Sequence, residues 1–325
     1  MIKILTSAIH HKISGGTIFN TKLFDYLKNN DDNVTIEIIK ALKNYTFEEK
    51  TSYIIDGILI EKKLKIDHLQ KFSLSFLIHL WPSLNLGIPV ENRIEFLEIE
   101  KQICQNFKVF VTGNNSMDHI VNTLKSDSPN HFLLLPGIDA NWKKKTTFPE
   151  LPKKIIYVSN FIEGKGYFKL LEIAKNLNHI NFQIDCYGEI LSEKYHAEFL
   201  KTIENLELEN VNYKGCIAHE SINDLLIEYD LLFHFSEYES FGMSVLEAMA
   251  SNIPSVITPT GNYLAYKNQR IKGVLDTFDV NQIAVSVEKI LTSKTVYKNH
   301  IQSLKNFETM SWEDTFKTIS EKLIT

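Results

Sequence analysis

Residues 231–254 read Leu231-Leu-Phe-His-Phe-Ser-Glu-Tyr-Glu-Ser-Phe-Gly-Met-Ser-Val-Leu-Glu-Ala-Met-Ala-Ser-Asn-Ile-Pro254 and indicate how the chain folds. The apolar run at the start predicts a strand over Leu231–Phe235, and the spacing after Gly242 predicts a helix that ends near Asn252. Asn suits the left-handed position that closes a helix, and Pro254 lies just beyond that end. Strand, glycine-bearing turn and helix in this order form one βα unit of a parallel sheet.

The same pattern recurs along the chain, where short apolar runs bounded by turn residues alternate with amphipathic stretches. The predicted strands are Ile2–Ser7, Val34–Ile39, Tyr53–Ile60, Lys108–Thr112, Phe132–Leu135, Ile155–Ser159, Phe182–Tyr187, Asp230–Phe235 and Ser255–Thr258. This alternation is typical of the α/β class with doubly wound parallel sheets.

The length of 325 residues permits two domains of about 150 residues each. Residues 139–152 are polar and flanked by Pro, which favours a linker there. We therefore predict an N-terminal domain over residues 1–145 and a C-terminal domain over residues 146–310. Ligands of doubly wound sheets bind beyond the carboxyl ends of the strands, so the sequence predicts one ligand cleft where the two halves face each other.

Composition excludes several classes of protein. The chain is 44% hydrophobic with a net charge of −5, so a nucleic-acid partner is not expected. Cys104, Cys186 and Cys216 are far apart in sequence, which disfavours a disulfide framework and a zinc site. No apolar run reaches the ~18 residues of a membrane span, and the N-terminus lacks the pattern of a signal peptide. A soluble cytoplasmic protein is expected, with peripheral contact at the inner face of a membrane left open.

The segment Glu61–Lys71 interleaves Lys with apolar residues. It has two interpretations. It is either a solvated helix face, which we favour, or a surface for peripheral contact with a membrane.

Two carboxylates flank the start of the predicted helix. The first free backbone amides, those of Gly242, Met243 and Ser244, lie at the positive end of the helix dipole and predict an anion site. Glu239 precedes the helix, and Glu247 lies within it. A diphosphate repels carboxylates, so these two suit the hydroxyls of a sugar and a ribose. The alternative is a pair of solvent-facing glutamates on a surface helix.

The segment resembles the signature of glycosyltransferase family 4 (glycosyltransferases group 1), the retaining enzymes of the GT-B fold, in which two Rossmann-like domains face each other across a cleft. The residues in register are Ser236, Glu239, Phe241, Gly242, Leu246, Glu247, Ala248, Met249, Ala250 and Pro254, while Ser240 stands at a glycine position. The resemblance implies transfer of a hexose-type sugar from a nucleotide-diphosphate sugar to a hydroxyl acceptor, such as a cell-surface glycan or glycolipid precursor. It implies no cofactor and no metal; no Asp-x-Asp pair stands in a suitable loop.

The stretch from Tyr157 to Leu171 is similar to the family element whose Arg and Lys bind the donor diphosphate. Lys165 matches the lysine, but Asn160 stands at the arginine position. Loss of a bidentate cation opposite a diphosphate removes about 1.5–3 kcal/mol of binding free energy. The departure predicts weaker donor binding, a substitute cation or an unusual donor. It also motivates a first alternative, a degenerate, non-catalytic partner subunit. A second alternative is another GT-B enzyme, such as a nucleotide-sugar epimerase or a phosphorylase, which fits the fold but fits the segment from Glu239 to Pro254 poorly.

Weaker similarities complete the predicted site. Ile217 matches a family position near the nucleobase, and His79 matches a histidine that contacts the donor sugar. His79 alternatively is a core histidine bonded to backbone. Gly15 and Gly16 either form an ordinary turn or approach the sugar side of the diphosphate with their amides.

Three further features complete the prediction. Residues 311–325 are similar to a last helix that crosses back onto the N-terminal domain. His10 and His11 lie at the same strand end as the paired glycines, where one of them could reach the acceptor or both could be solvated. The predicted catalytic residues are Glu239, Lys165 and His79, with Lys165 and the helix amides stabilising the leaving diphosphate.

Overall fold

A computed structural model describes residues 1–7 and 14–324 of the chain. It forms two compact units: unit 1 is Met1–Gly137 with Met310–Thr325, and unit 2 is Ile138–Thr309. The division after Gly137 comes earlier than the predicted boundary near residue 145. The reason is that the intervening residues bond to unit 2: the Trp142 indole donates to the Glu247 carbonyl at 3.1 Å, and the Lys145 amide to the Ser251 carbonyl at 2.8 Å.

Unit 1 contains a six-stranded sheet in the order β2-β1-β3-β4-β5-β6, and every recorded pairing of neighbouring strands is parallel. Its strands are β1 Ile2–Thr6, β2 Val34–Ile38, β3 Ser52–Asp56, β4 Ser73–Ile78, β5 Lys108–Val111 and β6 His131–Leu133. Its helices are α1 Gly15–Asn30, α2 Val90–Ile94, α3 Phe96–Asn106, α4 Asn114–Asp118 and, from the end of the chain, α12 Trp312–Ile324.

Helix α12 packs against α1 through aromatic side chains. The ring of Phe19 meets those of Trp312 and Phe316 edge-on, with centroids 5.5 and 5.2 Å apart. The Thr315 hydroxyl donates to the Leu135 carbonyl at 2.7 Å. A Cβ at Gly137 would lie 2.3 Å from the Trp312 amide nitrogen, so only glycine allows this close approach.

Unit 2 contains a five-stranded parallel sheet in the order β11-β10-β7-β8-β9. Its strands are β7 Lys154–Val158, β8 Gln183–Tyr187, β9 Val211–Tyr213, β10 Leu231–His234 and β11 Ser255–Ile257. Its helices are α5 Tyr167–Asn176, α6 Glu193–Asn205, α7 Ile222–Leu226, α8 Met243–Ala250, α9 Tyr263–Asn268, α10 Val280–Thr292 and α11 Lys294–Ser303. Ile155 and Tyr157 of β7 face one apolar core and Ile156 faces another, so both faces of this sheet are buried.

The predicted α/β class with two doubly wound parallel sheets is confirmed. The strand predicted over Tyr53–Ile60 runs four residues too far: β3 ends at Asp56, whose carboxylate accepts a hydrogen bond from the Ile58 amide at 3.0 Å and turns the chain. The helix predicted for Glu61–Lys71 was wrong. That segment forms turns, because Leu64, Ile66 and Leu69 are buried in the core of unit 1 and fix its path.

Over the described residues, none of the helices has both the length and the apolar character that crossing a bilayer requires.

Candidate functional site

The order of strands in unit 2 reverses between β7 and β10. The chain builds β7, β8 and β9 outward on one side and β10 and β11 on the other, so β7 and β10 are neighbours at the switch point. Two loops leave the carboxyl ends of these strands, and the Glu237 amide donates to the Gly164 carbonyl at 2.8 Å to join them. Open α/β sheets bind ligands at this place.

An ion pair crosses the switch point. The Lys165 Nζ lies 2.6 Å from Glu239 Oε1, and the buried Ser236 hydroxyl donates to the same oxygen at 2.9 Å. Burial alone would raise the pKa of Glu239, but the Lys165 ammonium and the His234 imidazole outweigh it and hold that pKa well below its usual range. The carboxylate therefore stays charged at neutral pH.

Tyr157 joins the loop that carries Lys165 to the end of β10, where the Glu239 loop begins. Its buried hydroxyl donates to the Lys165 carbonyl at 2.7 Å and accepts from the Phe235 amide at 3.1 Å. Burial raises the pKa of this hydroxyl well above its usual range, so it remains a neutral donor. One side chain thus sets the spacing of the loops that carry Lys165 and Glu239.

Gly166 brings the Lys165 loop against β10. Its φ is +71°, and a Cβ there would lie 2.1 Å from the Phe235 carbonyl oxygen. Gly215 offers a matched control, because its φ is +89° but nothing lies within 4 Å of an added Cβ.

We predict that Gly166→Ala and Gly215→Ala differ in stability although both place alanine at positive φ. Gly215→Ala should cost only the backbone strain, about 1 kcal/mol, and Gly166→Ala should cost at least about 3 kcal/mol because it also forces the two loops apart. Urea unfolding of both variants measures the difference. Equal losses would mean that the Lys165 loop does not depend on this close approach.

Helix α8 begins directly after the Glu239 loop with no side chain capping its first turn. Gly242 is the N-cap with φ +92°, and the amides of Met243 and Ser244 have no partner within the helix. The predicted end is confirmed as well: Asn252 has φ +62°, the left-handed conformation that closes the helix. A helix start with unbonded amides attracts anions, and this one follows the loop whose Glu239 contacts Lys165.

Glu247 projects from the same helix and is buried. Its Oε1 lies 2.8 Å from His219 Nε2, within hydrogen-bond distance. Ile217, two residues before that histidine, is half-buried and packs against the apolar core that includes Val245 and Met249 of α8. The segment after β9 and helix α8 therefore share one edge of unit 2.

Asn160 occupies the first turn after β7. Its Oδ1 accepts a hydrogen bond from the Glu189 amide at 3.1 Å. Gly188 lies against the same turn, since a Cβ there would meet the Ser159 carbonyl oxygen at 1.8 Å. Asn160 thus braces the turns after β7 and β8, and it contributes no positive charge.

In unit 1, His79 follows β4 and has both ring nitrogens within hydrogen-bond distance of side chains. Nε2 lies 2.8 Å from Asn20 Oδ1, and Nδ1 lies 3.3 Å from the Thr112 hydroxyl. The Asn20 amide donates to buried Asp56 at 2.7 Å, and the Thr6 hydroxyl donates to the same oxygen at 2.8 Å. With the Asn20 NH₂ committed to Asp56, its oxygen accepts from His79, which assigns the proton to Nε2. Burial lowers the pKa of His79, against the opposing effect of Asp56.

Helix α1 lies over His79. Gly15 is its first residue, after the N-cap Ser14, and a Cβ at Gly16 would lie 3.0 Å from His79 Cδ2. Gly15 therefore opens the helix, and Gly16 leaves room for the histidine ring. His10 and His11 lie outside the described residues.

The predicted site residues fall into two groups. Unit 2 holds Asn160, Lys165, Ile217, Glu239, Phe241, Gly242, Met243, Ser244 and Glu247, and unit 1 holds Gly15, Gly16 and His79. Lys165 and Glu239 are brought into direct contact. The alternative interpretation of His79 was a core histidine bonded to the backbone. In the structure both of its ring nitrogens lie within hydrogen-bond distance of side chains instead.

Two histidines of unit 2 were missed from the sequence, His219 beside Glu247 and His234 beside Glu239. His234 could have been found from the sequence, because it interrupts the apolar run of β10. A polar side chain within a buried strand usually has a hydrogen-bonding or charged partner nearby. His219 left none, because it lies in a polar loop.

Comparison with known proteins gives the family. The family described as Glycosyl transferases group 1 matches residues 139–307. Mannosylfructose-phosphate synthase of Agrobacterium fabrum is 27% identical over 154 residues, which are 45% of this chain and 34% of that protein. N-acetyl-alpha-D-glucosaminyl L-malate synthase of Bacillus anthracis is 26% identical over 160 residues, 48% of this chain and 41% of that protein. The matched segment is thus well under half the length of either relative.

Solved structures agree over the whole chain. Anabaena Alr3699/HepE in complex with UDP and glucose has a TM-score of 0.74 at 16% identity, covering 100% of this chain and 99% of that one. Sucrose-phosphate synthase of Thermosynechococcus elongatus has a TM-score of 0.74 at 16% identity, covering 99% and 97%. WaaG, a glycosyltransferase involved in lipopolysaccharide biosynthesis, has a TM-score of 0.70 at 12% identity and covers 99% of each chain. These likenesses establish a shared fold.

Proposed function

Because the chain belongs to the glycosyl transferases group 1 family, we propose that it is a retaining glycosyltransferase that uses a nucleotide-diphosphate sugar. The observation that carries the proposal is the Lys165–Glu239 pair at the switch point, beside the uncapped start of α8. A charged amine and free helix amides suit a diphosphate, and a buried carboxylate held ionised suits sugar hydroxyls.

Each group has a proposed role in holding the donor. Lys165 and the amides of Gly242, Met243 and Ser244 bind the diphosphate. Glu239 accepts hydrogen bonds from the transferred sugar, a hexose. Glu247 accepts hydrogen bonds from the ribose hydroxyls, and these replace its contact with His219. Ile217 lies beside the base.

Catalysis in this proposal is mainly electrostatic. As the bond between the sugar and the diphosphate breaks, negative charge grows on the leaving phosphate, and Lys165 and the α8 dipole stabilise that charge. The departing phosphate oxygen accepts the proton of the acceptor hydroxyl on the same face of the sugar, so the anomeric configuration is retained without a protein base. Glu239, charged throughout, orients the ring during transfer.

We further propose that the acceptor is a precursor of a cell-surface glycan or glycolipid. WaaG is described as acting in lipopolysaccharide biosynthesis, and HepE was solved with UDP and glucose. UDP-sugars are therefore the first donors to test.

The test is incubation with UDP-glucose, UDP-N-acetylglucosamine, GDP-mannose and ADP-glucose, followed by proton NMR of the released sugar. One donor should be hydrolysed slowly without acceptor, with the α-anomer as the first product of an α-linked donor, and EDTA should not change the rate. Release of the opposite anomer would contradict retention. Absence of both hydrolysis and thermal stabilisation for every donor would contradict the proposed function.

The same experiment, repeated with inorganic phosphate added, decides between the alternatives. A non-catalytic partner subunit, which the uncharged Asn160 favours, predicts that no nucleotide raises the melting temperature. An epimerase predicts a new sugar epimer in the products, and a phosphorylase predicts turnover only with inorganic phosphate.

A further inference from the structure

Four polar side chains of unit 1 lie at the carboxyl ends of neighbouring strands. They are Thr6 at the end of β1, Asp56 at the end of β3, His79 after β4 and Thr112 after β5. The sheet places these strands side by side in the order β1-β3-β4-β5, and the strand order reverses between β1 and β3, because β2 lies on the far side of β1. Doubly wound sheets bind their ligands at this edge.

Asn20 of helix α1 links two of these side chains. Asn20 is fully buried, and Asp56 is 6% exposed. The Asn20 NH₂ donates to Asp56 Oδ2 at 2.7 Å, and Asn20 Oδ1 lies 2.8 Å from His79 Nε2. One chain of hydrogen bonds thus ties α1 to the ends of β3 and β4.

Asp56 sets the direction of this chain. Its Oδ1 accepts a hydrogen bond from the Ile58 amide at 3.0 Å, and its Oδ2 accepts from the Thr6 hydroxyl at 2.8 Å as well as from Asn20. Three donors that converge on one carboxyl group stabilise the carboxylate, which can only accept. Asn20 therefore presents its oxygen to His79. The ring proton lies on Nε2, and Nδ1 keeps its lone pair.

The Nδ1 end of His79 is held less firmly than the Nε2 end. The Thr112 hydroxyl lies 3.3 Å from Nδ1 and 3.5 Å from the Ile78 carbonyl oxygen. One hydroxyl hydrogen cannot serve both acceptors, and both distances are long for a hydroxyl donor. The ring is half-buried, and burial lowers the pKa of His79 against the opposing effect of Asp56. A neutral ring with an acceptor nitrogen at the ligand edge suits a hydroxyl.

We propose that Asp56, acting through Asn20, is a positioning residue that holds His79 in the Nε2–H tautomer, so that Nδ1 accepts a hydrogen bond from a substrate hydroxyl. No proton is transferred and no covalent bond changes, because His79 acts neither as a cation nor as a base. Sugars supply such hydroxyls, and in this respect the inference rests on the proposed function. The position of the ring proton does not depend on that function, since it can be measured without substrate.

Nitrogen NMR measures the tautomer directly. In ¹⁵N-labelled protein at pH 7.5, long-range ¹H–¹⁵N spectra separate protonated from unprotonated ring nitrogens. The chain has 11 histidines, and the signals of His79 are those that disappear in His79→Gln. We expect the proton on Nε2 in the ligand-free wild type.

Asp56→Asn should reverse the chain of hydrogen bonds. With its oxygen kept on the Ile58 amide, the new side chain turns an NH₂ toward Asn20, whose amide then turns over and donates to His79 Nε2. The ring proton moves to Nδ1, and the acceptor for the substrate hydroxyl is lost. We expect kcat/KM for the donor selected by the four-donor panel to fall about tenfold.

Two further variants serve as controls. Thr112→Val changes the other end of the ring and should leave the proton on Nε2, because the tautomer is set from the side of Asp56. Asp67→Asn makes the same substitution at an exposed position of the same unit. It should change neither the tautomer nor kcat/KM.

A proton on Nε2 in the wild type, its move to Nδ1 in Asp56→Asn and the loss of turnover in that variant would support the inference. A proton on Nδ1, or on both nitrogens, in the wild type would overturn it even if Asp56→Asn does not fold. An unmoved proton in Asp56→Asn, or a moved one in Thr112→Val, would overturn it too. Unchanged kcat/KM with the reversed tautomer would overturn the recognition of a hydroxyl. In all these cases the proposed function stands, whereas turnover of none of the four donors by the wild type would overturn that function and the recognition of a hydroxyl with it.

Discussion

Lys165→Met is expected to lower kcat/KM for the donor at least about a hundredfold, because it removes the cation proposed to stabilise the leaving diphosphate. It should also lower the free energy of unfolding by about 3–5 kcal/mol, since Glu239 remains buried without its nearest counter-charge. Steady-state kinetics and urea unfolding measure the two effects. Lys175→Met, at an exposed position of α5, is the matched control and should change neither quantity.

A double variant separates these two effects. Lys165→Met with Glu239→Gln removes both charges, so most of the lost stability should return while turnover stays low. Recovery of turnover together with stability would mean that Lys165 serves the fold and not the reaction.

Glu239→Gln is expected to lower kcat by about a hundredfold to a thousandfold, the range found when one preorganised polar group is removed from an active site. The amide has nearly the same shape but no charge, so it should hold the Lys165 loop, and the sugar hydroxyls proposed to bind there, less firmly. Glu237→Gln, two residues earlier and exposed, should leave kcat unchanged. Equal turnover by the two variants would remove Glu239 from the mechanism.

Local pattern was sufficient to predict most of the fold. Buried strands such as Ile155–Ser159 leave continuous apolar runs, and the end of α8 could be placed at Asn252 because few residues adopt positive φ. The segment Glu61–Lys71 was misread because its Lys spacing resembles a helix, whereas burial of Leu64, Ile66 and Leu69 determines its turns. Tertiary packing overrode the local pattern there.

The contacts of the candidate site could not be predicted in the same way. Lys165 and Glu239 are 74 residues apart in sequence and meet only because β7 and β10 are adjacent at the switch point. His79 and Asn20 are 59 residues apart and meet because α1 lies over the end of β4. The family resemblance identified several of these residues. Their contact partners depend on the order of the strands in the sheet, and a short sequence motif does not specify that order.

The central claim is that unit 2 binds a nucleoside diphosphate through Lys165. Its most direct test is calorimetric titration of the wild type and of Lys165→Met with UDP, GDP and ADP at pH 7.5. We predict that one of the three binds the wild type at a single site and binds Lys165→Met at least about tenfold more weakly. Equal affinity for the two proteins, or no binding of any diphosphate to the wild type, would contradict the account.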